Sequence, residues 1–312
     1  MENLILSFNV VTPLFFMMVI GYFLKHFKIL DQHTLDVMNK VVFKIFLPVL
    51  LFYNVYTTDL GTVFDGKLIL FAVTGILVLF VLLVFFIPKI QKDNRKRGVM
   101  IQGVFRSNFV IFGIPIATSL YGEGNVGTTA MLIAVVVPLF NVLAVISLEI
   151  FRDSQINIKK IIKGVITNPL IIGAFVGIVF LLLGIKLPTA VMTTVKDVSK
   201  MATPLGLILL GASFVFADVK KYLKETIFVV IAKLIVVPAI MIPLSVYVGI
   251  RGIALLTLTI IYGAPTGVST FQMAKQMDGD SDLAAQVIVF TSFFCIVTMF
   301  FWIYILKSLA LI

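Results

Sequence analysis

The stretch Tyr262-Gly263-Ala264-Pro265-Thr266-Gly267-Val268-Ser269-Thr270-Phe271-Gln272 interrupts an otherwise apolar run, and Phe112-Gly113-Ile114-Pro115 repeats its Gly-x-Pro step in the first half of the chain. Such a step breaks a helix twice, because Gly gives no side-chain support and Pro has no N–H to donate. Working outward, four prolines recur in order. Pro13, Pro48, Pro88 and Pro115 are followed by Pro169, Pro204, Pro243 and Pro265, at spacings of 156, 156, 155 and 150 in a chain of 312 residues. Their surroundings recur too: Thr12-Pro13-Leu14 with Asn168-Pro169-Leu170, Gly21 with Gly177, and Lys40, Lys44 and Leu51 with Lys196, Lys200 and Leu207. A spacing that drifts only through loops marks a duplication, with halves at 1–155 and 156–312. Duplicated, interrupted apolar chains are the material of secondary transporters.

Composition sets the solvent. With 60% hydrophobic residues, 13% charged and a mean hydropathy of +1.13, the chain is not an ordinary soluble domain. Its net charge of +10 lies in short loops between apolar runs, a topological pattern that excludes nucleic acid as a partner and leaves membrane lipid. A single cysteine, Cys295, gives neither an intrachain disulfide nor a metal motif. The first apolar run lacks a basic leader and continues too long for a signal peptide, so it is expected to be the first span.

At roughly 20 apolar residues per crossing, ten transmembrane helices are expected: about 4–26, 36–57, 67–88, 99–120, 126–150, 166–185, 191–216, 223–248, 252–275 and 283–307. Pro169 opens its helix without penalty, whereas Pro204 and Pro265 fall inside theirs and should distort them. The loops on one side carry fifteen lysines and arginines, from Lys25 to Lys275, against six on the other. That bias puts the first set in the cytoplasm and both termini outside. Five helices per half is an odd number, so the second half enters the membrane inverted. The fold class is therefore an all-α polytopic protein of the cytoplasmic membrane, two inverted five-helix repeats with broken fourth and ninth helices.

The breaks are the candidate site. Gly113, Ile114 and Pro115, with Gly263, Ala264 and Pro265, would free backbone groups that cannot face lipid and must line protein or a wet cavity. Half-helix N-termini at the midplane suit an anion. Asn108, Thr266, Ser269, Thr270 and Gln272 are the side chains placed to bind it, although the same types also serve as interhelical glue and one Gly-x-Pro is commonly a kink. Arg106 lies seven residues before Gly113, about 10 Å along a helix, where it either draws an anion in or snorkels to the interface. Lys40, Lys44, Glu149, Lys196, Lys200 and Lys233 all have a membrane face within reach and are read as snorkelling. Asn54, Asn141 and Asn168 either face the interior or pack helices, with Asn168 also fit to cap the helix at Pro169. Asp278-Gly279-Asp280-Ser281-Asp282 lacks the glutamate of a calcium loop and reads as a solvated loop and cap. No metal site is expected, and no phosphate loop, nucleophile elbow or carboxylate pair suggests an enzyme.

Phe46-Leu47-Pro48, Arg106-Ser107-Asn108 followed by Gly113-x-Pro115, Asn168-Pro169 and Gly263-Ala264-Pro265 together resemble the auxin efflux carrier family in its bacterial branch, over essentially the whole chain. The resemblance implies a fold like that of bile-acid transporters and sodium–proton antiporters, with the fourth and ninth helices crossing at their breaks. It further implies a scaffold (about 1–60 and 164–217), often dimeric, and a transport domain (about 61–155 and 218–312). Bacterial relatives are commonly labelled malate or malonate permeases, and plant relatives export the auxin anion. The expected function is elevator-type carriage of a small organic anion by a homodimer, with no cofactor beyond a coupling ion, Na+ or H+. The alternatives are a sodium-coupled symporter of bile-acid type, an exporter of another small solute, and a channel.

Overall fold

The computed structural model describes residues 2–57, 65–122, 126–152 and 158–312. The expected boundary between halves at 155/156, and the one between scaffold and transport segments near residue 60, lie outside them. All regular structure among the described residues is helical, and the order is set by apolar runs and short polar caps. The first helix, α1, spans Glu2–His26. Then α2 (Gln32–Val41) and α3 (Leu47–Tyr56) join through one π turn, Val42–Phe46. Pro48 has no N–H for the Lys44 carbonyl, and the Leu47 N–H reaches back to Val42 O, which widens the turn. At the start of α2 the Thr34 N–H donates to Asp31 Oδ1 at 2.7 Å and holds that carboxyl below the ordinary range.

The first half continues with α4 (Gly66–Ile90), α5 (Asn94–Phe105), α6 (Phe109–Tyr121) and α7 (Gly127–Ile150). The second half holds α8 (Ile158–Ile166), α9 (Pro169–Leu182) and α10 (Thr189–Ser213). It ends with α11 (Leu223–Ile231), α12 (Val237–Tyr247), α13 (Gly252–Gly263), α14 (Ser269–Gln276) and α15 (Ser281–Ser308). Asn168 caps α9 by accepting from Leu170 N at 2.9 Å, and Asp280 caps α15 by accepting from Leu283 N at 2.9 Å. A second π turn, Ala232–Val236, joins α11 to α12 before Pro238. Here the Leu234 carbonyl, which Pro238 cannot serve, accepts from Trp302 Nε1 at 3.0 Å.

Among the described residues, six helical segments are by themselves long and apolar enough to cross a membrane: Phe8–His26, Gly66–Ile90, Asn94–Tyr121, Gly127–Ile150, Leu223–Tyr247 and Ser281–Ser308. A seventh is added if α8 and α9, bent by 57° at Thr167–Asn168, count as one. The other stretches expected to span, 36–57, 191–216 and 252–275, are helical but do not qualify alone. Polar residues open α2, Lys196, Asp197 and Lys200 punctuate α10, and α13 and α14 are each short. Helix α10 also passes Pro204 without interruption.

Burial separates an inner from an outer layer. Residues 98–107 of the α5 segment and Leu255–Gly263 of α13 are buried without a break. On α4, by contrast, Leu70 and Phe85 are 67% and 70% exposed, as helices solvated by lipid should be. Along one flank α1 packs on α10, and along another α3 packs on α9. Both contacts depend on glycine at the crossing. A Cβ on Gly21 would collide with Ile208 O, and one on Gly177 would stand 3.0 Å from Phe52 O. Gly21 and Gly177, and likewise Phe52 and Ile208, are 156 residues apart, the spacing of the prolines.

Candidate functional site

Two breaks meet at the centre. The first, Arg106–Asn108, separates α5 from α6, and the second, Ala264–Val268, separates α13 from α14. Each helix ends on an extended residue: Arg106 at φ −83°, ψ 132°, and Ala264 at φ −71°, ψ 158°. Each break then satisfies the other's backbone. The Asn108 N–H donates to Pro265 O at 2.7 Å, and the Ser107 hydroxyl leans on Ile260 O and Ala264 O at 3.3 and 3.5 Å. In return the Thr266 hydroxyl donates to Gly103 O at 2.7 Å, capping the open carbonyl end of α5, while Thr291 Oγ1 accepts from Thr266 N at 3.2 Å. Buried backbone groups without partners would be costly here, so the two interruptions stand or fall together.

The second break lies where the sequence put it; the first does not. Gly113 and Pro115 sit inside an intact α6, and the interruption falls seven residues earlier. Gly113 is small because Phe109 and Thr129 press on it: a Cβ there would lie 2.9 Å from the Phe109 ring and 3.1 Å from the Thr129 methyl. Aligning the breaks pairs Arg106 with Ala264, a spacing of 158, which matches the other repeats better than the 150 of Pro115 and Pro265. Arg106 therefore stands in the break rather than a helix length away from it.

A cavity of about 100 Å³ lies against both breaks. Arg106, Asn108, Ser269 and Gln272 line it. Gly263, Ala264, Pro265, Thr266 and Thr270 are buried off the lining. Gly113, Ile114 and Pro115 are not brought to it, and Pro115 is exposed on α6. Ser107, Thr203 and Gly267 join the lining without having been singled out. Ser107 could have been found, since it sits between two candidates; Thr203 had no local signal. Asn54 and Asn141, open between two roles in the sequence, both line the cavity.

Arg106 dominates the electrostatics. It is 4% exposed and does not snorkel. Its Nη2 donates to Asn141 Oδ1 and to Ser269 Oγ, each at 2.6 Å, and its Nη1 reaches Met273 Sδ at 2.8 Å and Gln102 Oε1 at 3.4 Å. All four are uncharged, and no carboxylate among the described residues pairs with the guanidinium. Gly267 leaves room for it: a Cβ there would be 3.4 Å from Arg106 Nε. Phe109, Val110 and Ile111, the opening turn of α6, also line the cavity with Ser269 of α14. The first N–H groups of α6 have no preceding turn to donate to, so this half-helix turns a positive end toward the cavity, whereas at α14 the Thr270 and Phe271 N–H groups donate back to Gly267 O and Val268 O at 3.0 and 3.1 Å.

Lys233 also departs from expectation: it is 0% exposed, and its Nζ has no hydrogen-bond partner among the described residues. Lys40, Lys44, Lys196 and Lys200 are exposed, as a snorkelling role requires.

Apolar spans around paired helix breaks define an integral membrane protein of the transporter class. The membrane transport protein family matches residues 6–303, so the chain belongs to that family, the auxin efflux carriers. It is 25% identical over 309 residues to an uncharacterized transporter of Methanocaldococcus jannaschii, covering 96% of this chain and 99% of the relative. To an uncharacterized transporter of Methanothermobacter thermautotrophicus it is 23% identical over 307 residues, covering 95% and 97%.

Proposed function

We propose that this protein is a secondary carrier of a small organic anion, and that the solute's carboxylate binds Arg106 in the cavity between the breaks. The observation that carries the reading is a buried guanidinium with only neutral partners. A buried charge without a counter-charge is strongly unfavourable, and an incoming carboxylate supplies what the protein withholds. The N-terminus of α6 reinforces the attraction. The volume favours a small acid of the malonate or malate class. About 100 Å³ is room for a small acid rather than a fused aromatic ring system.

In this reading ten helices cross the cytoplasmic membrane as two inverted repeats with both termini outside. The matched glycine crossings Gly21–Ile208 and Gly177–Phe52 support the duplication. Segments 61–155 and 218–312 move as the transport domain past a dimeric scaffold of 1–60 and 164–217. Polar contacts across that division include Gln272 Nε2 to Gly206 O at 2.9 Å and Lys275 Nζ to Asp36 Oδ1 at 3.2 Å, weak enough to exchange during movement.

The test is thermal melting of the detergent-purified protein against small mono- and dicarboxylates. A ligand bound by the native state adds about 2.7 kcal/mol at a hundredfold excess over its Kd, a clear rise in Tm. Stabilisation by malonate or malate that disappears in Arg106→Gln supports the reading. Stabilisation only by neutral or cationic solutes ends it.

A further inference from the structure

The amine of Lys233 is buried inside the π turn between α11 and α12, where α5, α13 and α15 close over it. Pro238 produces the turn, so amine and bulge come from one short stretch, Lys233-Leu234-Ile235-Val236-Val237-Pro238. Turns of this kind recur at functional positions in helices. On α15 the Cys295 thiol donates at 3.8 Å to the carbonyl of Gly263, the last residue of α13 before the second break.

The other ionisable groups on the packed helices face elsewhere. The Tyr262 hydroxyl of α13 is turned to Ala72 O at 3.2 Å. Glu225 of α11 is eight residues away, about 12 Å along the helix, and is paired with Lys96 of α5 at 2.7 Å. Arg95 of α5 bonds Asp278 O and Arg97 bonds Gln91 O, both at the loop end, and Arg106 bonds Asn141 and Ser269 across the cavity. On α12 Tyr247 is exposed at the far end; on α15 Asp282 lies in the first turn, and Tyr304 and Lys307 near the last. No carboxylate among the described residues offers Lys233 a counter-charge.

An amine in such a place has two forms with different needs. The neutral form needs no counter-charge, whereas the ammonium calls for partial negative charge; α13 packs on the turn, and a Cβ on Gly263 at its carbonyl end would lie 3.7 Å from the Pro238 ring. That same end, at Ile260 O and Ala264 O, accepts the Ser107 hydroxyl beside Arg106. Helix α13 thus touches both the turn that carries Lys233 and the break that lines the cavity. Resting on the carrier reading above, we propose that Lys233 is the proton site of the transport cycle. Its lone pair takes a proton from water on one side of the membrane and releases it to water on the other, so that one proton moves with each solute.

The experiment uses the full chain in proteoliposomes with radiolabelled malonate. Counterflow without a pH gradient reports the carrier itself, and accumulation under an imposed gradient reports coupling. Wild type is expected to do both. Lys233→Met, which keeps the length of the side chain and removes its charge, is expected to keep wild-type counterflow, while accumulation collapses to equilibrium. Preserved counterflow also certifies its fold. Lys233→Arg, permanently charged, is expected not to restore accumulation. Proton coupling is overturned if wild-type counterflow is normal but the gradient changes nothing. It is equally overturned if Lys233→Met still accumulates malonate, or if Lys233→Arg restores accumulation, which would make the residue a fixed charge. Absence of counterflow in wild type fails the carrier reading itself, and the proton site with it.

Discussion

The two breaks do the same structural job with different chemistry. The first, Arg106-Ser107-Asn108, contains no proline; polar side chains and backbone partners from the opposite segment hold it open. The second is written into its own sequence by Pro265 and by the glycines Gly263 and Gly267. One interruption is imposed by tertiary contacts and the other is intrinsic. The imposed one carries the charge, because extended backbone lets Arg106 project across the gap to Asn141 and Ser269. A carrier that must change shape while keeping its binding group in register gains from having one fixed break and one dependent on it.

The largest effect expected of any single change is at Arg106. Arg106→Gln leaves a polar chain near Gln102 and Asn141 but removes the charge, so malonate affinity should fall by about 2–5 kcal/mol, measured as loss of the ligand-induced rise in Tm. If affinity survives, the anion is held by the second break alone, and the division of labour proposed between the two is wrong.

Next comes the bond between the breaks. Thr266→Val keeps the shape and leaves Gly103 O without its donor, which should destabilise the protein by about 1–3 kcal/mol, read from melting in detergent. Ser107→Ala removes only long contacts to Ile260 O and Ala264 O and should cost less than about 1 kcal/mol. The reverse order would mean that the first break, not the second, supplies the anchoring hydrogen bond.

The smallest changes in stability, and the sharpest contrast, concern the two prolines. Pro265→Ala restores an N–H that can donate to Ile261 O and lengthen α13, so solute counterflow should fall while stability shifts by about 1 kcal/mol or less. Pro115→Ala lies in an intact, exposed helical turn, and should raise the melting temperature through a recovered helical bond without lengthening any helix. Equal losses of counterflow in both would return the first break to Gly113–Pro115.

The difference between prolines also shows how far the sequence could be read. Pro265 was legible as a break because glycines and small polar residues surround it and no neighbouring helix needs it straight. Pro115 looked the same locally, yet its glycine partner serves the packing of Phe109 and Thr129. Ser269, Gln272 and Asn108 were legible as candidates because polar groups among apolar runs have few other places to go, whereas Arg106, about 10 Å along a helix from the Gly-x-Pro step, reads either as drawing an anion in or as snorkelling. Thr203 was not, being one hydroxyl on a long helix whose facing side depends on how α10 lies against its neighbours.

By itself the sequence determined the solvent and the all-helical class. Apolar content, loop charge and proline spacing are local or additive properties, and no contact is needed to read them. Only the tertiary structure decided where the first helix breaks, that Arg106 is buried without a counter-charge, and that Lys233 cannot reach a membrane face. Each of these depends on which backbone and side-chain groups meet between separate helices. In the absence of water, every polar group must find its partner in those meetings or go without one.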